Sequence, residues 1–161
     1  PSVCNAEPVI DLSQLGIETG RTAFRLVVSI LFLSLDGNMQ DCAVRAVNAA
    51  LHNTMVPKAV SGGADGQSLH VTRKDNSALQ VNTELISRTF AIVSRAGGKR
   101  LFLKDPTKAE EALVRSTITV VSDRNSKIRG VFVDAVENCC GKGVKETGLS
   151  LVDLHELLAQ K

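Results

Sequence analysis

LGIETGRTAFRLVVSILFLSLDGNMQDCAVRAVNAALHNTMVP, residues 15–57, is the stretch whose reading decides the fold. Its centre, Ala23–Leu35, is an almost unbroken run of Val, Ile, Leu and Phe. Such a run predicts a long strand covered on both faces, because a half-exposed strand would alternate. Asp36-Gly37-Asn38 ends it with residues that suit a sharp turn. Asn38 is placed to cap a helix, and Asp41 favours the positive end of that helix. Met39–His52 carries Ala43, Val47, Ala50 and Leu51 at helical spacing. The small Ala43, Ala46, Ala49 and Ala50 would let this helix lie close to a sheet. Pro57 keeps it from running on much past Met55.

Before this stretch, residues 1–20 read as a loop with a short strand around Leu15–Glu18. After it, residues 57–68 hold SGGADG, a loop signal. Short strands are expected at Leu69–Thr72 and Leu79–Asn82, joined by the turn RKDNS. Thr89–Val93 and Arg100–Lys104 read as a hairpin around Arg95-Ala96-Gly97-Gly98. Asp105-Pro106-Thr107 opens a short helix, Lys108–Leu113, with Asp or Thr as cap. Thr117–Ser122 and Ile128–Asp134 form a second hairpin across Asp123–Lys127. A polar loop over Ala135–Thr147 leads to a closing helix, with Ser150 as cap, Leu149 and Leu154 as staple, and Leu151, Leu154 and Leu158 as apolar stripe. The order predicts an α+β (mixed α/β) fold, with helices packed on β-sheets. No internal repeat is visible.

With 161 residues, 43% apolar and 22% charged, the chain has the composition of one ordinary domain or two small ones. The longest apolar run, Leu26–Leu35, is broken by Ser29 and Ser34 and is about half of what a bilayer needs. Pro1–Leu12 lacks a basic start and holds Glu7 and Asp11, unlike a signal peptide. A net charge of +2 does not suggest a free-standing nucleic-acid-binding domain, although a local basic patch could still meet RNA. Trp and Tyr are absent, and Phe32, Phe90 and Phe102 sit in apolar runs as expected core, so a stacking platform for single-stranded RNA is not expected. Cys4, Cys42, Cys139 and Cys140 have no zinc spacing, and His52, His70 and His155 are scattered. The expectation is free thiols in a reducing compartment, with no metal and no cofactor.

Asp36 and Asp41 stand five apart across the turn. Paired carboxylates can hold a metal or move protons, but each also has a plain role in shaping the turn and the helix start. Gly62-Gly63 and Gly97-Gly98 are too short to be phosphate loops, and no nucleophile elbow is present. Basic clusters at Arg21/Arg25, Arg73/Lys74, Lys99/Arg100/Lys104 and Arg124/Lys127/Arg129 suit phosphates, or equally the solvated tips of hairpins. Composition and spacing leave function open.

Residues 15–57 resemble the RNase PH family, most closely the non-catalytic RNase PH-like ring subunits of the eukaryotic RNA exosome. Those subunits show an LCI-x-x-GK segment, a WVLYVDI-type strand, then DGN-x-x-DA leading into an alanine-rich helix ending AAL-x-N-x-x-x-P. Here these are Leu15-Gly16-Ile17, Gly20-Arg21, the strand to Leu35, Asp36-Gly37-Asn38-Met39-Gln40-Asp41-Cys42, and Ala49-Ala50-Leu51-His52-Asn53 before Pro57. Thr89-Phe90-Ala91-Ile92 resembles the TFAI strand, and Asp105-Pro106-Thr107 with Glu110-Glu111 resembles the DPT-x-x-EE step. Ser116–Val121 and Leu149–Leu158 resemble the next strand and the closing helix, so the likeness runs from residue 10 to 160.

The resemblance implies residues 1–60 as the end of a ribosomal-S5-like first domain and residues 61–161 as the RNase PH second domain. It implies a structural subunit of the exosome core ring, supporting 3′-to-5′ RNA processing and decay (rRNA maturation, mRNA decay). Partners would be other RNase PH-like ring subunits, RNA-binding cap subunits and RNA threaded through the pore, with no membrane. The compartments implied are the nucleus, nucleolus and cytoplasm. Active members carry an Asp on the long strand where this chain has Ser29, and a GGTR turn where it has Gly37-Asn38-Met39-Gln40. Ser29 cannot ionise, which leaves Asp36 and Asp41 as vestigial candidates and no catalytic residue expected. Arg21, Lys99 and Arg100 are the expected RNA or ring contacts. Two alternatives stand: an active phosphate-dependent exoribonuclease or tRNA-trimming enzyme, and an interaction domain that kept only the fold. The family's N-terminal strands have no counterpart here, so the long strand would lack neighbours on one side.

Overall fold

The computed structural model describes residues 7–62, 68–94, 100–114 and 116–135. A 3-10 turn, Leu12–Leu15, leads into a small ribbon of β1 (Gly16–Glu18) and β2 (Thr22–Ala23). Helix α1 covers Met39–His52, the bounds expected from its spacing and flanking turn. β3 (Met55–Gly62) and β4 (Ser68–Ala78) form a hairpin that straddles residue 60. β5 (Leu85–Ser94), β6 (Arg100–Lys104), β7 (Ser116–Asp123) and β8 (Ile128–Ala135) form an antiparallel sheet in the order β6-β5-β7-β8, with the short α2 (Lys108–Glu111) between β6 and β7. The mixed α+β class and both expected C-terminal hairpins are present. The closing helix, and the tip at 95–99, lie outside the described residues.

Two apolar clusters hold these parts. Phe90, Ile92, Ile118 and Val120 alternate inward on β5 and β7, with Phe102 against them. Leu15, Leu51, Val56 and Leu79 form the other, joined by Val9, Phe24, Leu26 and Val47. Helix α1 is tied to β5 by polar groups. Asn48 donates to the Leu85 carbonyl at 2.6 Å and accepts from its N–H at 3.4 Å. Of the four alanines expected to bring the helix close to a sheet, Ala43 is half-buried, while Ala46, Ala49 and Ala50 are exposed.

Four other expectations are corrected. The long strand Ala23–Leu35 is reduced to Thr22–Ala23. Phe24 and Leu26 still dip into the core, but residues 27–35 are exposed, Leu31 at 82% and Leu33 at 91%. Composition makes a strand possible, but a ladder needs a neighbour, and no described strand pairs with 24–35. Phe32, expected in the core, is exposed with them. The strand expected at Leu69–Thr72 belongs to a longer one, β4, which runs through the expected RKDNS turn to Ala78. Leu79–Asn82 forms no strand, only an isolated bridge between Val81 and Ile10. Pro57 faces Asn76 and Lys58 faces Thr72, so Arg73-Lys74-Asp75 are looped out beside the proline, which has no N–H to give the ladder. The expected loop at 57–68 is correspondingly narrower, since β3 continues to Gly62.

The β7–β8 turn is built around one buried carboxylate. Asp123 Oδ1 accepts the N–H groups of Asn125 and Lys127, each at 2.9 Å, and Oδ2 accepts Arg129 Nη2 at 3.0 Å. The Lys127 N–H above all, with Arg129 and the Asn125 N–H adding, holds this carboxyl below the ordinary value of 3.8. A lowered folded-state value stabilises the fold above 3.8 and ceases to do so as pH falls through it. Asp123→Asn should therefore lower the melting temperature at pH 7. Thermal melts down a pH series should find that gap closing in acid; a gap independent of pH would show that the carboxylate charge is not what the turn uses.

Candidate functional site

The Asp36-Gly37-Asn38 turn is seated against the segment that follows β6. Gly37 has φ +91°, and a Cβ there would fall 2.5 Å from the Pro106 carbonyl oxygen and 2.6 Å from Lys108 N. Only a glycine allows this approach. The Lys108 N–H donates to the Asp36 carbonyl at 3.0 Å, and the Asn38 N–H donates to Glu111 Oε1 at 2.9 Å. The side-chain amide of Asn38 donates to Asp105 Oδ1. Asn38 was expected to cap α1 with its side chain. It stands at the N-cap in the left-handed conformation, φ 47°, and makes no side-chain cap bond. Its amide is turned away to Asp105, and its Oδ1 is buried without a partner. Of the two expected caps, Asp105 or Thr107, it is the Thr107 hydroxyl that caps α2, and Glu110 Oε2 accepts the Thr107 N–H at 2.8 Å to complete a capping box the sequence reading did not name.

Asp41 lies in the first turn of α1 and is 7% exposed. Oδ1 accepts the hydroxyls of Ser87 at 2.6 Å and Thr89 at 2.9 Å, and Oδ2 accepts the Thr89 N–H at 3.0 Å. Thr89 in turn shares a hydroxyl–hydroxyl bond of 2.9 Å with Thr119 on β7. This carboxylate is therefore spent on the sheet. Its expected service to the helix N-terminus is secondary to that.

Asp36 is exposed and offers the turn only its backbone, and Ser29 is exposed within the unpaired run. The two vestigial candidates thus have different fates, one solvated and one buried in the framework. Arg21 is 62% exposed beside Glu18 at 3.6 Å. Arg100 opens β6 in a different sheet, and Lys99 lies outside the described residues. Among the described residues no group of three or more His, Cys, Asp or Glu side chains could hold a metal. Sequence reading missed Asp105 and Glu111 as partners of the turn, although DPT-x-x-EE was the available signal. It also missed Ser87 and Thr89, which no local pattern announces, since they lie 46 and 48 residues from Asp41.

Beside the turn, a cavity of about 560 Å³ opens over the sheet, lined by Asn38, Lys108, Thr117, Thr119, Phe132 and Asp134 among others. Phe132 is 56% exposed there, an aromatic face the sequence reading did not single out.

No family model matches the chain. It is similar to the exosome complex component Rrp42 of three archaea. With that of Methanothermobacter thermautotrophicus it is 32% identical over 112 residues, 70% of this chain and 38% of the relative. With that of Archaeoglobus fulgidus it is 33% identical, over 74% of this chain and 40% of the relative. With that of Thermoplasma acidophilum it is 28% identical, over 95% and 53%. Among solved structures, an archaeal exosome core chain matches 94% of this chain and 51% of its own length, with TM-score 0.68 and 28% identity. A chain of the A. fulgidus exosome with RNA bound to the active site matches with TM-score 0.53 and 28% identity, over 79% of this chain and 40% of its own. The chain thus spans about half, or less, of the length of the relatives it matches.

Two substitutions test the architecture of the site. Asp41→Ala strands the Ser87 and Thr89 donors in a buried place, and should cost about 1–3 kcal/mol in chemical denaturation. Gly37→Ala, strained by φ and by the Pro106 carbonyl, should also destabilise. Wild-type stability of Asp41→Ala would mean that the helix is seated by something other than this carboxylate.

Proposed function

Starting from its kinship with the RNase PH-like Rrp42 subunits of the exosome, we infer that this chain is a non-catalytic structural subunit of an exosome-type ring. It supports 3′-to-5′ RNA processing and degradation, beside other RNase PH-like subunits and RNA-binding cap subunits. Residues 1–60 form the end of the first domain and residues 61–161 the second. The observation that carries the inactive reading is the commitment of the acids around the turn. Asp41 holds the sheet, while Asp105 and Glu111 hold Asn38. Asp36 is exposed and gives the turn only its backbone carbonyl, and residue 29, where active members of the family carry an Asp, is Ser29.

Assembly is supported by the apolar run. Val27, Leu31 and Leu33 are 70%, 82% and 91% exposed, and a contiguous apolar surface of this kind marks an interaction site. Affinity purification from the native cells should recover other ring and cap subunits in stoichiometric amount. Recovery as a single species or a homo-oligomer would sink the reading. In the purified complex, Asp36→Asn in this subunit should leave phosphate-dependent RNA degradation within about twofold. A loss of orders of magnitude would restore the phosphorolytic alternative. A fluorescent fusion tests the nuclear, nucleolar and cytoplasmic placement that accompanies this function.

A further inference from the structure

The cavity beside the turn carries side chains that the sheet register sets on one face. Phe132 lies opposite Thr119, and Asp134 lies opposite Thr117. Thr119 in turn lies opposite Thr89. Cross-strand partners share a face, and all five residues line the same space of about 560 Å³ together with Lys108. Phe132 and Asp134, two residues apart on β8, are separated by roughly 7 Å along the strand. Among the described residues the Asp134 carboxylate, the Thr117 hydroxyl and the Lys108 ammonium make no hydrogen bond or ion pair. Glu111, also in the lining, is occupied by Asn38. The cavity therefore combines an exposed aromatic face, an uncommitted carboxylate at base-width distance, a free hydroxyl and one cation.

We propose that this cavity binds a guanine base of single-stranded RNA. The base stacks on Phe132, and aromatic side chains serve unpaired bases in this way. An ionised carboxylate only accepts hydrogen bonds. Guanine alone among the RNA bases offers two adjacent donors, N1–H and the N2 amino group, to the two oxygens of Asp134. Adenine and cytosine each set a ring acceptor beside their amino group, which the carboxylate repels, and uracil has a single N–H. Lys108 meets the phosphate of the bound nucleotide, and Thr117 supplies a neutral donor or acceptor. The proposal rests on the RNA-associated reading above and names the ligand of one site within it.

Guanosine, adenosine, cytidine and uridine 5′-monophosphates, titrated into the full-length protein and followed by calorimetry and amide NMR, test it. The expected result is saturable binding with guanosine monophosphate preferred. Phe132→Leu keeps an apolar side chain but removes the stacking face, and should weaken binding about tenfold. Asp134→Asn replaces one acceptor by a donor and should reduce the guanine preference about tenfold. Both positions are exposed, so unchanged melting temperatures are expected. Absence of saturable binding, equal affinity for the four nucleotides, or indifference to both substitutions would overturn the proposal. Co-purification with ring subunits is scored on the same variants. Assembly without nucleotide binding defeats this inference alone, whereas nucleotide binding without assembly defeats the ring reading and leaves the cavity assignment standing.

Discussion

The buried carboxylate of Asp41 is the constraint on which the described architecture depends. It stands in the first turns of α1 yet spends both oxygens on β5, taking two hydroxyls and one backbone N–H. A buried charge without such donors would be very costly, so the helix cannot shift along or rotate on the sheet without unmaking the set. One turn-pair further along, Asn48 adds a reciprocal pair of bonds to Leu85. The helix is thus indexed to one register of β5. Because β5 pairs with both β6 and β7, that register fixes where the segment after β6 passes.

From this follows the closeness of the turn and the α2 segment. With α1 fixed, its N-terminus meets Asp105–Glu111, and the glycine at 37 lets the two backbones touch. The acids there act as local hydrogen-bond acceptors for Asn38, a structural use of groups that in another arrangement could bind ions or move protons. The same placement leaves a cavity between the turn and β8, where Asp134, Thr117 and Lys108 have no side-chain partner among the described residues, with the exposed ring of Phe132. The framework and the cavity are therefore two consequences of one fixed helix.

The apolar run after β2 has the opposite character. Its first residues, Phe24 and Leu26, join the core of Leu15, Leu51, Val56 and Leu79. Beyond them both alternations of the run face solvent, including Val27 and Val28 as well as Leu31 and Phe32. Cover on both faces is what the sequence pattern asks for, and the described residues do not supply it.

Local chemistry in the sequence determined α1 to its end residues, because a turn glycine, helical spacing and a following proline are all short-range signals, even though the expected Asn38 side-chain cap is not made. It determined the two C-terminal hairpins and a capped start to α2 after Pro106 for the same reason. It also supplied the ordered motifs by which the relationship to exosome subunits was legible. It did not determine whether an apolar run becomes a strand, since a ladder requires a neighbour that composition does not specify. Nor did it determine that RKDNS belongs within β4, where a proline on the opposite strand absorbs the misfit as a bulge. The roles of Asp41, Asn38 and Phe132 belong to the tertiary structure alone. Each depends on groups dozens of residues away in the chain, or on which face of a sheet the register presents, and hydrogen-bond partners at that separation leave no mark in local spacing.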